Sequence, residues 1–439
     1  VMHPLPYREK ITEDVYSKLF KDVGRNEEGV QRYFSARAVR LGDSPVLAFD
    51  STTISTYSEN QSEARQGFNK DRDGLNTIKL LTLYSVKSRE PMAFAKQPGN
   101  IPDVITIGNT LTQLKCLNLK KPLIVTDNGY YSQKNMMEFA LRNMKFLTLV
   151  DSNIVWVRET IDELRETLTT MSRTCPFDPS VCGATSLRMH KFSRVQRGSR
   201  NGKVAGEKET ISRRLYVHVY YSPDNEAKKG LAFRKYLLEL KAQVEEGINE
   251  FTDSAQKKID KYLTCSKKGR GGKLKVRFND QTIAEAKKYF GYFALVSNQI
   301  MDTFIALENY RLREKIEELF AVQKGSLDSA RPRTWYPDNL RGRQFTQFVS
   351  LGYHCFLTKN IKQVQARLRK KEAGKNKSLI KLEKKLETWL AQRSLTQILD
   401  WFDCIETTKV QTGMGKYRWS TESVARDRLF LKYLGVTPE

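Results

Sequence analysis

Tyr310, Arg313, Glu317 and Lys324 recur at the spacing Y-x2-R-x3-E-x6-K. On one continuous helix turning about 100° per residue, their side chains fall at roughly 0°, 300°, 340° and 320°, within about one sixth of the circumference. Leu312, Ile316, Leu319 and Phe320 fall at roughly 180° to 280° on the same wheel, an adjacent apolar stripe that can pack on a core. A carboxylate, two cations and a phenol would then project together from a packed helix. Such a set suits a site that handles metal and phosphate together, because the carboxylate ligates an ion while Arg, Lys and Tyr hold phosphate oxygens. The plainer alternative is a solvated face laced with i,i+3 and i,i+4 ion pairs.

Two aspartates must be placed against that helix. Asp50 ends the run Pro45-Val46-Leu47-Ala48-Phe49, and Asp127 follows Pro122-Leu123-Ile124-Val125-Thr126. Both runs are short, apolar and rich in branched or aromatic residues, and polar or glycine residues follow at once, the pattern of buried strands. In open sheets, ligands sit outside the carboxyl ends of strands, where a side chain is fixed by the sheet yet still reaches solvent. As an alternative, Asp50 and Asp127 serve as turn residues or caps, and Asp127-Asn128-Gly129 has turn chemistry of its own.

The ordered Asp strand, Asp strand and Y-R-E-K helix resemble the DDE transposases of bacterial insertion sequences, in the branch called insertion sequence four. Gly99-Asn100-Ile101-Pro102-Asp103, Asp127-Asn128-Gly129-Tyr130 and Arg341-Gly342-Arg343-Gln344-Phe345 match further stretches of that family, and the resemblance covers roughly residues 45 to 357. It implies that Asp50, Asp127 and Glu317 are catalytic and hold two Mg²⁺ or Mn²⁺ ions. Tyr310, Arg313, Lys324, Arg341 and Arg343 would contact DNA. The implied activity is strand cleavage at the element ends, followed by joining of the freed 3′-hydroxyl to target DNA. Double-stranded DNA, as element ends and target, would be the partner, and a homodimer would form in the synaptic complex of a bacterial, nucleoid-associated cytoplasmic protein. A remnant that binds DNA without cutting it, and a stand-alone ribonuclease-H-like nuclease, are the alternatives. The chemistry agrees with the resemblance: two divalent ions can clamp the attacking and leaving oxygens of a phosphodiester displacement, and they need hard carboxylate oxygens from rigid elements.

Composition points the same way. The 439 residues carry 75 Lys plus Arg against 50 Asp plus Glu, a net charge of +25, which favours a polyanion over an acidic small substrate. Residues 188 to 214 hold nine cations against Glu207 and Glu209, and residues 359 to 393 hold twelve against Glu372, Glu383 and Glu387. Each block reads either as a phosphate-neutralising surface or as a solvated loop and helix face. Cys116, Cys175, Cys182, Cys265, Cys355 and Cys404 form no C-x-x-C pair, and the nearest metal-like grouping, Cys175, Cys182 and His190 in a Pro-bearing loop, matches no usual ligand spacing. Gly269-Arg270-Gly271-Gly272-Lys273 reads as a basic linker, so no nucleotide cofactor is expected. No apolar run is long enough to span a bilayer, so no membrane is expected.

The expected architecture is α/β: a ribonuclease-H-like mixed sheet flanked by helices, with a long insertion before the third acid and a helical C-terminal region. Residues 1–44 read as helical, with Ile11, Val15, Leu19, Phe20, Val30, Phe34 and Val39 at apolar positions, and as the end of a DNA-binding domain of which part is missing before Val1. Residues 45–150 form the first part of the core and 151–289 the insertion, with Arg214 to Tyr221 a strand and Leu231 to Tyr262 one or two helices. Residues 290–357 form the second part of the core with the signature helix, and 358–439 the helical C-terminal region.

Overall fold

The computed structural model describes residues 12–40, 45–69, 72–195, 206–248, 250–267, 274–327, 329–370, 376–403, 405, 407–413, 415–421 and 423–436. Ile11, the Gly269 to Lys273 stretch, Cys404 and parts of both basic blocks lie outside them. In chain order, the first helices and strands are α1 (Glu13–Arg25), α2 (Glu27–Val39), β1 (Val46–Thr56), β2 (Asn76–Ser85), β3 (Glu90–Pro98), α3 (Asp103–Gln113), β4 (Leu123–Thr126), α4 (Gln133–Leu141) and β5 (Lys145–Val150). Next come α5 (Val155–Leu168), β6 (Thr174–Cys175), β7 (Asp178–Val195), β8 (Lys208–Tyr221), α6 (Pro223–Glu245), α7 (Asp253–Tyr262), β9 (Leu263–Lys267), β10 (Leu274–Phe278), α8 (Asp280–Lys287) and β11 (Tyr292–Ser297). The remainder is α9 (Thr303–Leu312), α10 (Lys315–Lys324), α11 (Pro337–Arg369), α12 (Lys377–Ala391), α13 (Leu395–Phe402), β12 (Thr407–Thr412), β13 (Gly415–Ser420) and α14 (Ala425–Tyr433).

The chain divides into two compact units, one of Gly42–Ser51 and Ile101–Ile316, the other of Val1–Leu41, Thr52–Asn100 and Glu317–Glu439. In the first, the strand order is β1-β4-β5-β11-β8-β7-β6. The pairs β1/β4 and β4/β5 are parallel, whereas β5/β11, β11/β8 and β8/β7 are antiparallel. Val46 to Phe49 and all of β4 are buried, so neither strand needs a polar face. The register Val46↔Leu123, Leu47↔Ile124, Ala48↔Val125 is constant, and continuing it two residues sets Asp50 level with Asp127. Asn298 fixes the far side of β5: its side chain accepts from Phe146 N at 2.9 Å and donates to Met144 O at 3.0 Å. Ser132, Ser222 and Asp302 cap α4, α6 and α9 by accepting from backbone amides of the first turn, which fixes where each helix starts.

In the second unit β2 and β3 pair antiparallel. Tyr33 and Phe34 of α2 pack edge-on against Phe345 and Phe348 of α11, and Phe34 also against Phe94 of β3. A separate apolar cluster built on Ile361, Leu386, Trp389, Leu390 and Phe430 holds α11, α12, α13 and α14 together. The architecture is the expected α/β one, a mixed sheet of parallel and antiparallel strands flanked by helices. Among the described residues no helix is long and apolar enough to cross a membrane.

Three expectations change. Val15, Leu19 and Val39 are exposed and do not form the buried stripe, because Gly24, Phe34 and Ala38 take the core positions of α1 and α2. The Pro-bearing loop around Cys175 and Cys182 is instead β6 and β7, and β7 pairs with β8 through fourteen consecutive rungs, Cys182↔Tyr221 to Val195↔Lys208. The helical reading of Leu231 to Tyr262 holds as α6 and α7, but β9 and β10 add an antiparallel ribbon after it.

His218 of β8 is fully buried, and its Nδ1 lies 2.7 Å from Thr185 Oγ1, which itself lies 2.6 Å from Thr303 Oγ1. Burial pulls its pKa from 6.5 down to about 4. As pH falls the unfolded chain takes up the proton first, so the stability tied to neutral His218 is complete above about pH 6.5 and is lost progressively toward pH 4. The loss amounts to about 3 kcal/mol. Urea unfolding at pH 7 and pH 4.5 should show a smaller acid shift in His218→Gln than in the parent; equal shifts would show that this imidazole is not the group responsible.

Candidate active site

Asp50 is the one residue of β1 that is not buried. Its Oδ1 accepts from Ser51 N at 2.8 Å, and its Oδ2 accepts from Arg313 Nη1 at 3.1 Å. Asp127 leaves β4 and caps a short 3-10 turn, Asn128–Tyr130, with Oδ1 accepting from Asn128 N at 2.8 Å and from the Tyr310 hydroxyl at 2.9 Å. Its Oδ2 lies 3.7 Å from Arg313 Nη2. One guanidinium therefore spans both carboxylates. Arg313 is 5% exposed, whereas the Asp50 and Asp127 side chains are 15% and 41% exposed. Burial, and then the Asp127 carboxylate, push the Tyr310 phenol well above its ordinary value, so it stays protonated and donates.

Asp103 was noted in sequence only within a motif, and the structure brings it to the same place. At the start of α3, its Oδ1 accepts from Ser51 Oγ at 2.9 Å. Tyr130 packs edge-on against Phe49 at 5.1 Å, and burial, then Asp50 and Asp103, hold its hydroxyl far above the usual range. The signal was available in the Gly99 to Asp103 motif, but nothing in the residue types sets Asp103 beside Ser51.

The signature segment is not one helix. It breaks into α9 and α10 at Arg313 and Glu314, where i→i+3 bonds from Arg313 N to Tyr310 O and from Glu314 N to Arg311 O tighten the chain. Tyr310 and Arg313 end α9 and turn onto the aspartates. Glu317 is exposed and Lys324 half-buried on α10, so a single wheel does not relate the four side chains. Ile316, Leu319 and Phe320 are buried as expected of the apolar stripe.

Arg341 and Arg343 lie in the first turns of α11. Arg341 pairs with Glu27 and Asp338, and Arg25 also pairs with Asp338 at 2.9 Å. The glycine between the two arginines serves packing: a Cβ on Gly342 would meet Phe20 O at 1.8 Å, and one on Gly24 would meet Asp338 O at 1.9 Å. The backbones of α1 and α11 touch there because neither residue has a side chain. In the first basic block, Arg188 pairs with Glu159 and Glu163, and Arg194 with Glu138 and Glu209.

Two carboxylates, one within β1 and one just past β4, close enough to share one cationic group are the hard-oxygen donors a divalent ion takes. By that observation the pair fits such an ion. Among the described residues no group of three or more His, Cys, Asp or Glu side chains is gathered as a metal site. Cys175 and Cys182 lie in strands, and His190 is held at 3.0 Å by Gln133 and packs on Trp156 and Phe192.

A family model described as transposase DDE domain matches residues 41–340. No curated protein matches the sequence. Among solved structures, the chain is similar to that of a piggyBac transposase synaptic complex with hairpin DNA, at 9% identity and a TM-score of 0.36, over 80% of this chain and 55% of that one. The chain thus spans about half the length of that solved relative.

Removing Arg313 leaves two facing carboxylates without their shared cation. Arg313→Ala should cost about 3 kcal/mol at pH 7 by urea unfolding, with the Asp127 share discounted for its exposure. Arg313→Lys should recover little of it, because an ammonium is a point charge that cannot span both acids; full recovery would show that bridging is unimportant. Gly342→Ala should lower stability by at least about 2 kcal/mol through overlap with the α1 backbone, and an unchanged melting temperature would deny the close approach.

Proposed function

We propose, for a chain that belongs to the transposase DDE domain family, a DNA transposase that cuts strands at the ends of its element and joins the freed ends to target DNA. The observation that carries this reading is the alignment of Asp50, within β1, with Asp127, just past the end of the parallel β4, inside the residues the family model matches. Glu317 is assigned the third carboxylate on the strength of its place in the Y-R-E-K spacing.

Asp50, Asp127 and Glu317 would hold Mg²⁺ or Mn²⁺, two ions in this reading. Bound there, the ions supply Lewis-acid charge to the phosphodiester oxygens and lower the pKa of the attacking group. The protein's own side chains do the rest. β1 and β4 fix the two aspartates, and Ser51 N and Asn128 N orient their outer oxygens. Tyr310 donates to the Oδ1 of Asp127 that Asn128 N also holds, Arg313 holds the Oδ2 atoms of both aspartates, and in this reading both donors turn to a backbone phosphate entering the site. Lys324 and Arg343 are assigned phosphate contacts from the resemblance alone, and Arg341 would have to leave Glu27 and Asp338 to make one. In the first displacement, water attacks the phosphorus and the 3′-oxygen leaves as a hydroxyl. That 3′-hydroxyl then attacks a target phosphodiester, and the target 3′-oxygen departs. A dimer that brings two ends together belongs to this reading.

The decisive experiment is a cleavage and strand-transfer assay on the DNA flanking this gene in its native genome, with Mg²⁺, with EDTA and with Asp50→Asn. Metal-dependent nicks followed by joined products, lost in the variant, are expected. Glu317→Gln should reduce cleavage on the order of 10³-fold, equivalent to several kcal/mol, while DNA affinity stays within a few-fold. Nicks without joined products would favour a nuclease, and tight binding without cleavage under either metal would favour a DNA-binding remnant.

A further inference from the structure

The C-terminal helices carry a second basic site, distinct from the first block of cations and built differently. Lys381, Lys384 and Lys385 of α12, with Arg393 beyond its end and Arg426 at the start of α14, line an open cleft of about 730 Å³. Among the described residues no carboxylate lines it. The acids nearby are turned to other partners: Glu383 is buried and accepts from the Tyr433 hydroxyl, Glu387 pairs with Arg369 at 3.6 Å, and Asp427 accepts from Arg426 Nε at 2.8 Å and Trp401 Nε1 at 3.0 Å. Arg393 and Arg426 both lie over the Trp389 ring, at 4.7 and 4.3 Å, and Arg426 also over Trp401 at 4.9 Å. This stacking fixes two guanidinium groups in the floor of the cleft.

The three lysines are exposed, and among the described residues no acid pairs with them. Lys381 and Lys385 stand one helical turn apart, a like-charge i,i+4 pair that costs a few tenths of a kcal/mol. Meanwhile Leu386 and Leu390 bury the other side of α12 in its apolar cluster, and Trp389 belongs to both that cluster and the cleft, so the helix that carries the lysines is held in place. From Lys381 to Gln392 it is about 16 Å long, the axial rise of roughly five phosphates on one strand of a duplex.

We propose that this cleft binds the phosphate backbone of double-stranded DNA without regard to sequence, engaging DNA outside the reacting phosphodiester. The proposal rests on the DNA-processing reading above, but its test does not depend on catalysis. The full-length chain, its Lys381→Gln/Lys384→Gln/Lys385→Gln variant and a control Lys228→Gln/Lys229→Gln/Lys235→Gln on the exposed face of α6 are titrated by fluorescence anisotropy. The probe is a random-sequence duplex lacking any element end, and salt is varied. Glutamine keeps helix propensity, and circular dichroism checks that each variant is folded. The slope of log affinity against log salt should fall by about 2 to 3 in the α12 variant and remain unchanged in the control. An unchanged slope in the α12 variant, or an equal fall in both, would overturn the proposal, the latter reducing the effect to net charge. Vesicles of phosphatidylserine and phosphatidylcholine form a further arm; loss of vesicle binding with an unchanged duplex slope would assign the cleft to anionic lipid instead. Should the parent fail to cut DNA while the slope change stands, the catalytic reading falls and this one survives.

Discussion

Two carboxylates, one within β1 and one just past the end of the parallel β4, repel each other, and the sheet cannot let them move apart. The constant register between β1 and β4 sets Asp50 and Asp127 at one level. Arg313 answers that repulsion with one guanidinium, 3.1 Å from the first and 3.7 Å from the second. At the break between α9 and α10 the tightened turn leaves Arg313 at the end of α9, directed at both aspartates. Tyr310 completes the arrangement as a protonated donor on Asp127. Geometry that holds acids together in this way is preorganised for any cation that can replace part of the guanidinium's role.

The charge of the chain is distributed by function more than by region. A net charge of +25 would suggest a basic coat, yet Arg188, Arg194, Arg311 and Arg341 are each engaged with acids of the fold. These pairs tie α5 to β7, α4 to β7 and β8, α9 to β7, and α11 to α2. On α12 the arrangement is the reverse, with acids drawn into internal bonds and lysines left to solvent. Overall excess charge is therefore a poor guide to where a polyanion binds, and local partners decide it.

Much of the core was legible in the sequence. Residues 46–49 of β1 and all of β4 could be read because strands buried on both faces are short unbroken apolar runs, and Asp50 and Asp127 stood out as the first acids after those runs; the polar Ser51-Thr52-Thr53 continuation hid that β1 runs on to Thr56. The capped helices α4 and α9 begin at their Ser and Asp caps. β7 was hidden because its polarity is reversed, with Leu187, Met189 and Val195 exposed and Arg188, His190 and Arg194 on the face packed against α4 and α5, a pattern that resembles a polar loop until β8 supplies the pairing. The helix break at Arg313 has no Gly or Pro to announce it. Arg313 itself was expected to reach outward, as charged residues usually do. Its burial depends on two acids 186 and 263 positions away, which only the sheet brings near. The Gly in Arg341-Gly342-Arg343 was read with its charged neighbours, although its role is to let two backbones touch.

The long segment between β5 and β11 reads as an insertion along the chain, but in space it is part of the sheet. β11 has β5 on one side and β8 on the other, six rungs from Tyr292↔Tyr221 to Ser297↔Tyr216. Without β8, the buried apolar strand Tyr292–Ser297 would present a row of unsatisfied amides and carbonyls as an open sheet edge, a template for pairing with other chains. Whatever else the segment does, it insulates the core from self-association, so a minimal version of this fold cannot be made by trimming back to the strands that carry the aspartates.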